Sequence, residues 1–281
     1  MSDEQRAMRE RQQRPLPSDS ALIAQHSSLA SLPWSHKRLC KLIVMSATYR
    51  QSSRASSELL ERDRFNRLLA RGPRFRLEAE MIRDNALAVA GLLSHKLSGP
   101  SVMPPQPDGI WQSTYNTTKW ETSQGEDRYR RGLYTFIKRT TPYPAMTTFD
   151  APSRELCTVR RINTNTPLQA LVTLNDPAYI EAAQALARRM VKEAVSAKLE
   201  DRLALGLQLA LIRPARPNEI AALTKLFDSR RVHYETHPAE AVKFATDPLG
   251  PLPAGQTATD LAALTAVANV ILNLDEFVTR N

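Results

Sequence analysis

The chain has 281 residues, of which 42% are hydrophobic, so it can bury a core in one large domain or two small ones. Only 6% of the residues are aromatic, and Ala/Leu-rich runs fill the second half, which favours a mainly α-helical fold over a β-sandwich or barrel. The formal net charge of +9 predicts a surface that attracts anions, but no nucleic-acid recognition motif accompanies it.

Several classes of site are excluded by the absence of their motifs. The chain has no CxxCH, so it carries no c-type haem attachment site, and it has no GxxxxGK[ST], GxGxxG or GxSxG. Cys40 and Cys157 are expected to be unpaired buried thiols, with a disulfide as the alternative in an oxidising compartment. No apolar run reaches the ~18 residues of a membrane span, and the N-terminus lacks the apolar core of a signal peptide.

The first two segments are predicted to be a tail and a helix. Residues 1–33 are polar and basic, which predicts a mostly disordered tail with a short helix around residues 21–32. Residues 34–49 then place Leu39, Leu42, Ile43 and Met45 or Ser46 on one side of a helix for which Ser35 is the expected N-cap. This helix is expected to dock into the core.

A long helix is predicted from about Phe75 to Leu93. One edge of its apolar stripe would consist of Leu77, Met81, Asn85, Ala88 and Leu92. Glu78 and Glu80 could supply an acid and a base, because two carboxylates on one helix can divide these roles. The alternative is structural: the helical spacing predicts the ordinary ion pairs Arg76–Glu80 and Glu80–Arg83.

Residues 94–127 form a long Pro/Trp loop, and a loop of this length is usually functional or packed onto the surface. Trp111, Tyr115 and Trp120 could stack on sugar rings, which makes polysaccharide a possible partner. The alternative is that these rings pin the loop to the domain, because large aromatic side chains are mostly buried.

The densest set of polar residues lies between residues 128 and 177, after a short strand or hairpin predicted near 132–138. Two helices are expected to meet at its end, one capped by Thr166 before Pro167 and one capped by Asp176 before Pro177. The residues proposed to bind a ligand or to clamp the segment are Arg131, Asp150, Arg160, Arg161, Asn165 and Gln169. We expect Asp150, one of the two adjacent arginines, Asn165 and Gln169 to form one connected network.

The C-terminal half is predicted to consist of antiparallel helices over residues 177–195, 199–212, 217–227 and 259–281. His233 and His237 are four residues apart, as zinc ligands on a helix can be. However, Pro238 ends the helix at once and no Glu follows the first histidine, so the sequence predicts no metal site.

The pieces RYRRGLYTF, TTPYP, TFDAP, TNTPLQAL and LNDP resemble the uncharacterised domain that closes the large planctomycete-type cytochrome c proteins. The resemblance implies that residues 1–33 are the remnant of an upstream region in a truncated chain. Residues 34–281 would be the family domain, with a core at 34–178 and a helical half at 179–281. It also implies a periplasmic location, haem only in the upstream segment of full-length relatives, and a haem-bearing domain or another extracytoplasmic protein as partner.

Three functions follow from these observations. The first is a non-haem binding or docking module of an extracytoplasmic planctomycete-type cytochrome c protein. The second is a glycan-acting hydrolase that uses Asp150 with Glu155, or Glu78 with Glu80, as acid and base. The third is a basic adaptor that binds nucleic acid. The sequence leaves open whether the chain is an enzyme.

Overall fold

A computed structural model describes residues 34–110 and 119–280. The predicted tail at 1–33, the short helix within it, Trp111 and Tyr115 lie outside the described residues. The described residues divide into two compact units, one up to residue 73 and one from residue 74, so a boundary falls inside the range 34–281. The described residues are mainly helical, with eleven α-helices and one small antiparallel sheet, which confirms the predicted fold class.

Within residues 34–73, the first unit contains the helices α1 (His36–Met45) and α2 (Ser57–Arg62). The Ser56 hydroxyl accepts a hydrogen bond from the Leu59 amide and so caps α2, whereas Ser35 lies at the N-cap of α1 without a side-chain cap bond. None of the residues of α1 is buried, so the expected docking of this helix into a core is wrong. Apolar spacing shows that a helix has an apolar face but not what covers it.

The elements of the second unit are β1 (Phe75–Arg76), α3 (Ala79–Ala90), α4 (Pro144–Thr148), α5 (Pro167–Asn175), α6 (Pro177–Glu193), α7 (Leu199–Leu211), α8 (Pro217–Thr236), α9 (Pro238–Thr246), α10 (Ala258–Leu272), α11 (Asp275–Val278) and β2 (Thr279–Arg280). The two strands pair antiparallel, with Phe75 opposite Arg280 and Arg76 opposite Thr279. The first and last elements of the unit therefore meet in one sheet.

The core of the second unit is built around α10. Its buried residues lie on every side of the helix because α6, α8 and α9 all pack against it. Small side chains such as Ala262, Ala263 and Ala268 let these helices approach closely, while a fully buried leucine such as Leu264 contributes about 1.5–3 kcal/mol. Between α6 and α7 the approach is closer still: a Cβ on Gly206 would lie 2.9 Å from Met190 Sδ.

The helical C-terminal half is confirmed, but its boundaries differ from the predicted ones. Helix α8 continues nine residues beyond Phe227, and α9 begins at Pro238, where no helix was predicted. A partly exposed helix needs only a narrow apolar stripe. The residues after Phe227 are mostly polar, so the sequence pattern does not indicate that the helix continues. The final predicted helix stops at Leu272, and a short helix and strand β2 follow it.

Helix α3 is shorter than predicted because Phe75 and Arg76 belong to the sheet. Its end is set by Gly91, which has a φ of 75°. The predicted apolar edge is also wrong: Met81 and Ala88 are exposed, and the side that includes Ile82 and Ala86 is buried. Helix α3 packs on α6, and Met81 lies on the side that faces away from the core.

The strand or hairpin predicted near 132–138 is absent. The segment contains a 3-10 turn, Gly132–Tyr134, followed by a single parallel bridge between Thr135 and Val102. The turn forms because Gly132 lies against α3: its amide donates to Asp84 Oδ1 at 2.5 Å, and a Cβ there would lie 3.0 Å from Glu80 Cα. Packing against the helix therefore bends the chain where the sequence pattern alone favours extension.

The loop at 94–127 is held by buried side chains in the part that the structure describes. Trp120 stacks on Tyr143 with ring centroids 5.7 Å apart, and its Nε1 donates to Pro104 O at 2.9 Å. Arg130 is fully buried, stacks on the Tyr134 ring at 3.7 Å, and donates to the carbonyl of Pro100 at 3.0 Å. It also donates to the carbonyls of Lys96 and Ser98. For Trp120, the pinning role is thus the one that the geometry supports.

No helix among the described residues is both long enough and apolar enough to cross a membrane.

Candidate functional site

The candidate site is the irregular segment 150–165, which we call the strap, together with the elements that hold it. It runs from the end of α4 to the start of α5. As predicted, α5 begins at Pro167 and α6 begins at Pro177. The Asp176 carboxylate accepts a hydrogen bond from the Ala178 amide at 2.9 Å, whereas Thr166 occupies its cap position without a side-chain bond.

Both ends of the strap are joined through Asp150. Its Oδ2 accepts hydrogen bonds from the amide and hydroxyl of Thr164, both at 2.7 Å, and from Gln169 Nε2 at 3.3 Å. Gln169 is 1% exposed and also donates to Thr148 O at 3.0 Å. Asp150 has a φ of 61°, a left-handed conformation that aspartate tolerates better than most residues. The predicted link between Asp150 and Gln169 is therefore present.

The middle of the strap is tied to α3 through Arg161. Its guanidinium donates to Glu80 at 2.6 and 3.1 Å, and it lies 3.0 Å from Glu78. Burial is the largest single influence and would raise the pKa of Glu80, but the hydrogen bond and charge of Arg161, a backbone hydrogen bond and the charge of Arg154 together hold this pKa below its usual value. Two residues on, Asn163 Nδ2 donates to Arg76 O at 3.3 Å. The strap is thus fixed to three separate elements.

The predicted connected network is only partly formed. Neither Arg160 nor Arg161 has a hydrogen bond or ion pair with Asp150, and Arg160 and Asn165 are exposed without a partner in the described part of the chain. Arg161 instead faces two carboxylates at the start of α3, which attract a guanidinium more than the saturated Asp150 oxygen does. Arg131 belongs to another contact, with Asp84 Oδ2 at 3.2 Å.

The proposed carboxylate pairs are engaged in structural contacts. Glu78 and Glu80 both face Arg161, so the lowered pKa of Glu80 keeps this residue ionised at neutral pH and unsuited to donate a proton. Glu155 is exposed on the strap. The predicted helix-spaced ion pairs are wrong, because Arg76 lies 3.8 Å from Asp275 and Arg83 points into the interior.

A buried polar cluster around Glu181 was missed in the sequence. Glu181 is 2% exposed; it accepts from Arg128 Nε at 3.0 Å and from the Tyr129 hydroxyl at 2.6 Å. Burial, with the hydrogen bond to Glu181, raises the pKa of Tyr129 to about 12. Arg83 donates to the carbonyl of Arg128 at 3.1 Å. No local signal marks these residues, because a charge on an amphipathic helix is normally solvated.

Asp176, the N-cap of α6, is also buried in the second unit. Burial raises its pKa to about 6, although the Ala178 amide and the charge of Arg83 act in the opposite direction. Tyr143 and Tyr179 lie close by, and burial raises the pKa of both hydroxyls. The N-cap of α6 is thus a carboxylate that the fold favours in its protonated form at mildly acidic pH.

The remaining candidates are the two histidines and the two cysteines. The His233 and His237 rings stack with centroids 4.4 Å apart, and His237 Nδ1 lies 2.9 Å from His233 O. Among the described residues, no group of three or more His, Cys, Asp or Glu side chains is arranged to hold a metal ion. Cys40 and Cys157 are unpaired, but both are exposed, so the expectation that they are buried is wrong.

Asp150→Ala is expected to lower the free energy of unfolding by about 2 kcal/mol, because it removes the acceptor of three donors, one of them on a buried glutamine. Urea unfolding measures this cost. Asp247→Ala, at a residue whose side chain makes no hydrogen bond within the described ranges, is the matched control. A normally stable Asp150→Ala protein that has lost binding of a ligand would show a pocket rather than a clamp.

Comparison with known proteins gives one family. A family model described as "PSD1: Protein of unknown function (DUF1553)" matches residues 13–227. The match begins inside the stretch 1–33 and covers α1 to the middle of α8. No curated protein and no solved structure matches the chain. Since the model spans more than half of the sequence, the chain belongs to the PSD1 (DUF1553) family of proteins of unknown function.

Proposed function

We propose that the chain is a non-haem binding or docking module of an extracytoplasmic, planctomycete-type cytochrome c protein. Membership of the PSD1 family supports this proposal, together with the resemblance of RYRRGLYTF and TNTPLQAL to the domain that closes those proteins. The haem would lie in the upstream segment of full-length relatives, and that segment is the proposed partner.

The observation that carries the proposal is that the strap has a bonded inner side and an exposed outer side. Its inner side chains are fixed to α3, β1 and α5, while Leu156, Val159 and Ile162 on its outer side are at least 76% exposed. Arg160, also exposed, adds a cation. An irregular segment held rigid by internal bonds loses little conformational entropy when a partner binds it, so its exposed apolar groups are suited to docking.

The chemistry of the site favours binding over hydrolysis. A glycosidase needs one carboxyl group that is protonated at the working pH and a second that is free to act on substrate or water. Glu80 is held ionised by Arg161, and the Asp150 oxygen receives three donors from its own chain. These carboxylates hold the strap in place.

The test is a calorimetric titration of the chain with the haem-loaded upstream segment of a full-length relative, produced as a separate polypeptide. Val159→Asp combined with Ile162→Asp should weaken binding at least about tenfold, because two apolar contacts are replaced by charges. Val195→Asp is the matched control, since Val195 is equally exposed but lies after α6.

Equal weakening by the strap variant and by the control would contradict the docking surface. Release of reducing ends from a polysaccharide by the purified chain would establish the hydrolase instead, and the docking proposal would then fail.

A further inference from the structure

Helix α1 presents large apolar side chains to solvent along its whole length. Leu39, Leu42 and Ile43 are between 44% and 58% exposed, and the flanking residue Trp34 is 95% exposed. Tyr49, just after the helix, is 58% exposed. A soluble protein rarely exposes such a concentration of apolar groups unless something binds there.

The charges of the same region all have one sign. From Trp34 to Ser57 the chain has no Asp or Glu, while it has five cations: Lys37, Arg38, Lys41, Arg50 and Arg54. In residues 34–110 and 119–280, none of these five forms a salt bridge. They are therefore available to an external anion.

The apolar and basic residues lie on opposite sides of α1. At about 100° per residue, Leu39, Leu42 and Ile43 share one arc, and the three basic residues of the helix share the other. The other two exposed apolar residues of the helix, Val44 and Met45, lie at its end and on the basic side. The helix is ten residues long, or about 15 Å, which is far too short to span a bilayer.

We propose that α1 lies in the interface of a membrane that contains anionic lipid, with its apolar arc among the acyl chains and its basic arc at the headgroups. Nucleic acid would neutralise the cations but leave Leu39, Leu42 and Ile43 in water. An anionic bilayer surface accommodates both arcs, and aromatic residues such as Trp34 and Tyr49 prefer the same interface. The lipid surface is thus the partner that matches both the apolar arc and the basic arc of this helix.

The test is sedimentation of the full chain with vesicles of phosphatidylcholine alone or with about 30% phosphatidylglycerol. We expect binding to the anionic vesicles, at least about tenfold weaker binding to the neutral ones, and further weakening as salt rises. Ile43→Glu should reduce the binding at least about tenfold, because it places a charge in the acyl region. Lys37→Gln combined with Lys41→Gln should do the same through the headgroups.

Val195→Glu is the matched control: it introduces the same charge at an exposed apolar residue of the other unit and should leave vesicle binding unchanged. No buried contact is lost in any of these variants, so their circular dichroism and thermal unfolding should match those of the parent chain. The proposal is overturned if the chain binds neither vesicle, binds both equally, or is insensitive to Ile43→Glu. Binding to an oligonucleotide that displaces the vesicles and survives Ile43→Glu would also overturn it.

Discussion

Glu181→Ala is expected to lower the free energy of unfolding by about 4 kcal/mol, because breaking a buried ion pair leaves its partner charge uncompensated. The side chain of Glu181 is 3% exposed and that of Arg128 is 18% exposed, so water does not replace the lost carboxylate. The Tyr129 hydroxyl loses its acceptor as well. Urea unfolding followed by circular dichroism measures the change.

Glu193→Ala on the same helix is the control for this substitution. Glu193 pairs with Arg189 at 2.8 Å, but its side chain is 42% exposed, so we expect a cost of no more than about 0.5 kcal/mol. A double variant, Glu181→Leu with Arg128→Met, should recover much of the lost stability, because it removes both buried charges together. Equal costs for Glu181→Ala and Glu193→Ala would show that the interior pair is solvated.

Asp176 is expected to make the stability of the fold depend on pH between about 4 and 6. Its folded-state pKa is raised to about 6 from the ordinary value of 3.8, so the folded chain binds this proton more tightly than the unfolded chain. Its contribution is therefore most favourable below pH 3.8 and declines as pH rises through the folded pKa. The total decline is on the order of 3 kcal/mol.

Asp176→Asn isolates this effect, because asparagine can cap α6 but cannot ionise. Unfolding free energies measured from pH 4 to 7 should show that the stability of the variant relative to the parent chain increases with pH, by up to about 3 kcal/mol. Arg83 opposes the shift, and Tyr143 and Tyr179 stay protonated throughout this range. Parallel pH profiles for the two proteins would mean that Asp176 is solvated in the folded chain.

Local sequence patterns predicted the helix starts well. Pro167, Pro177 and Pro217 each occupy the first position of a helix, because proline lacks the amide that this position leaves unpaired. The mainly helical class was also predictable, since it follows from composition and apolar spacing. Interactions between residues that are close in sequence determine both features, so both can be predicted from a single sequence.

Contacts between distant segments were not predictable in the same way. The β1 and β2 strands are two residues each and lie at opposite ends of the unit, so neither has a recognisable strand pattern. Arg161 could have faced Asp150 or the carboxylates of α3, and only the path of the strap decides between them. The sequence alone suggests that Glu181 is a solvent-exposed charge, because its partners Arg128 and Tyr129 come from a distant segment.

Arg130 holds the loop at residues 94–102 through the loop's carbonyl groups, so the loop can be ordered without its amide protons being protected from exchange. Its guanidinium satisfies carbonyl groups, and within the described chain the amides of Leu97 and Gly99 donate to no acceptor. Hydrogen exchange reports whether amide protons are engaged, not whether carbonyl oxygens are. The amides of Leu97 and Gly99 would therefore exchange as fast as those of a mobile segment, while a fully buried side chain keeps the path of the loop fixed.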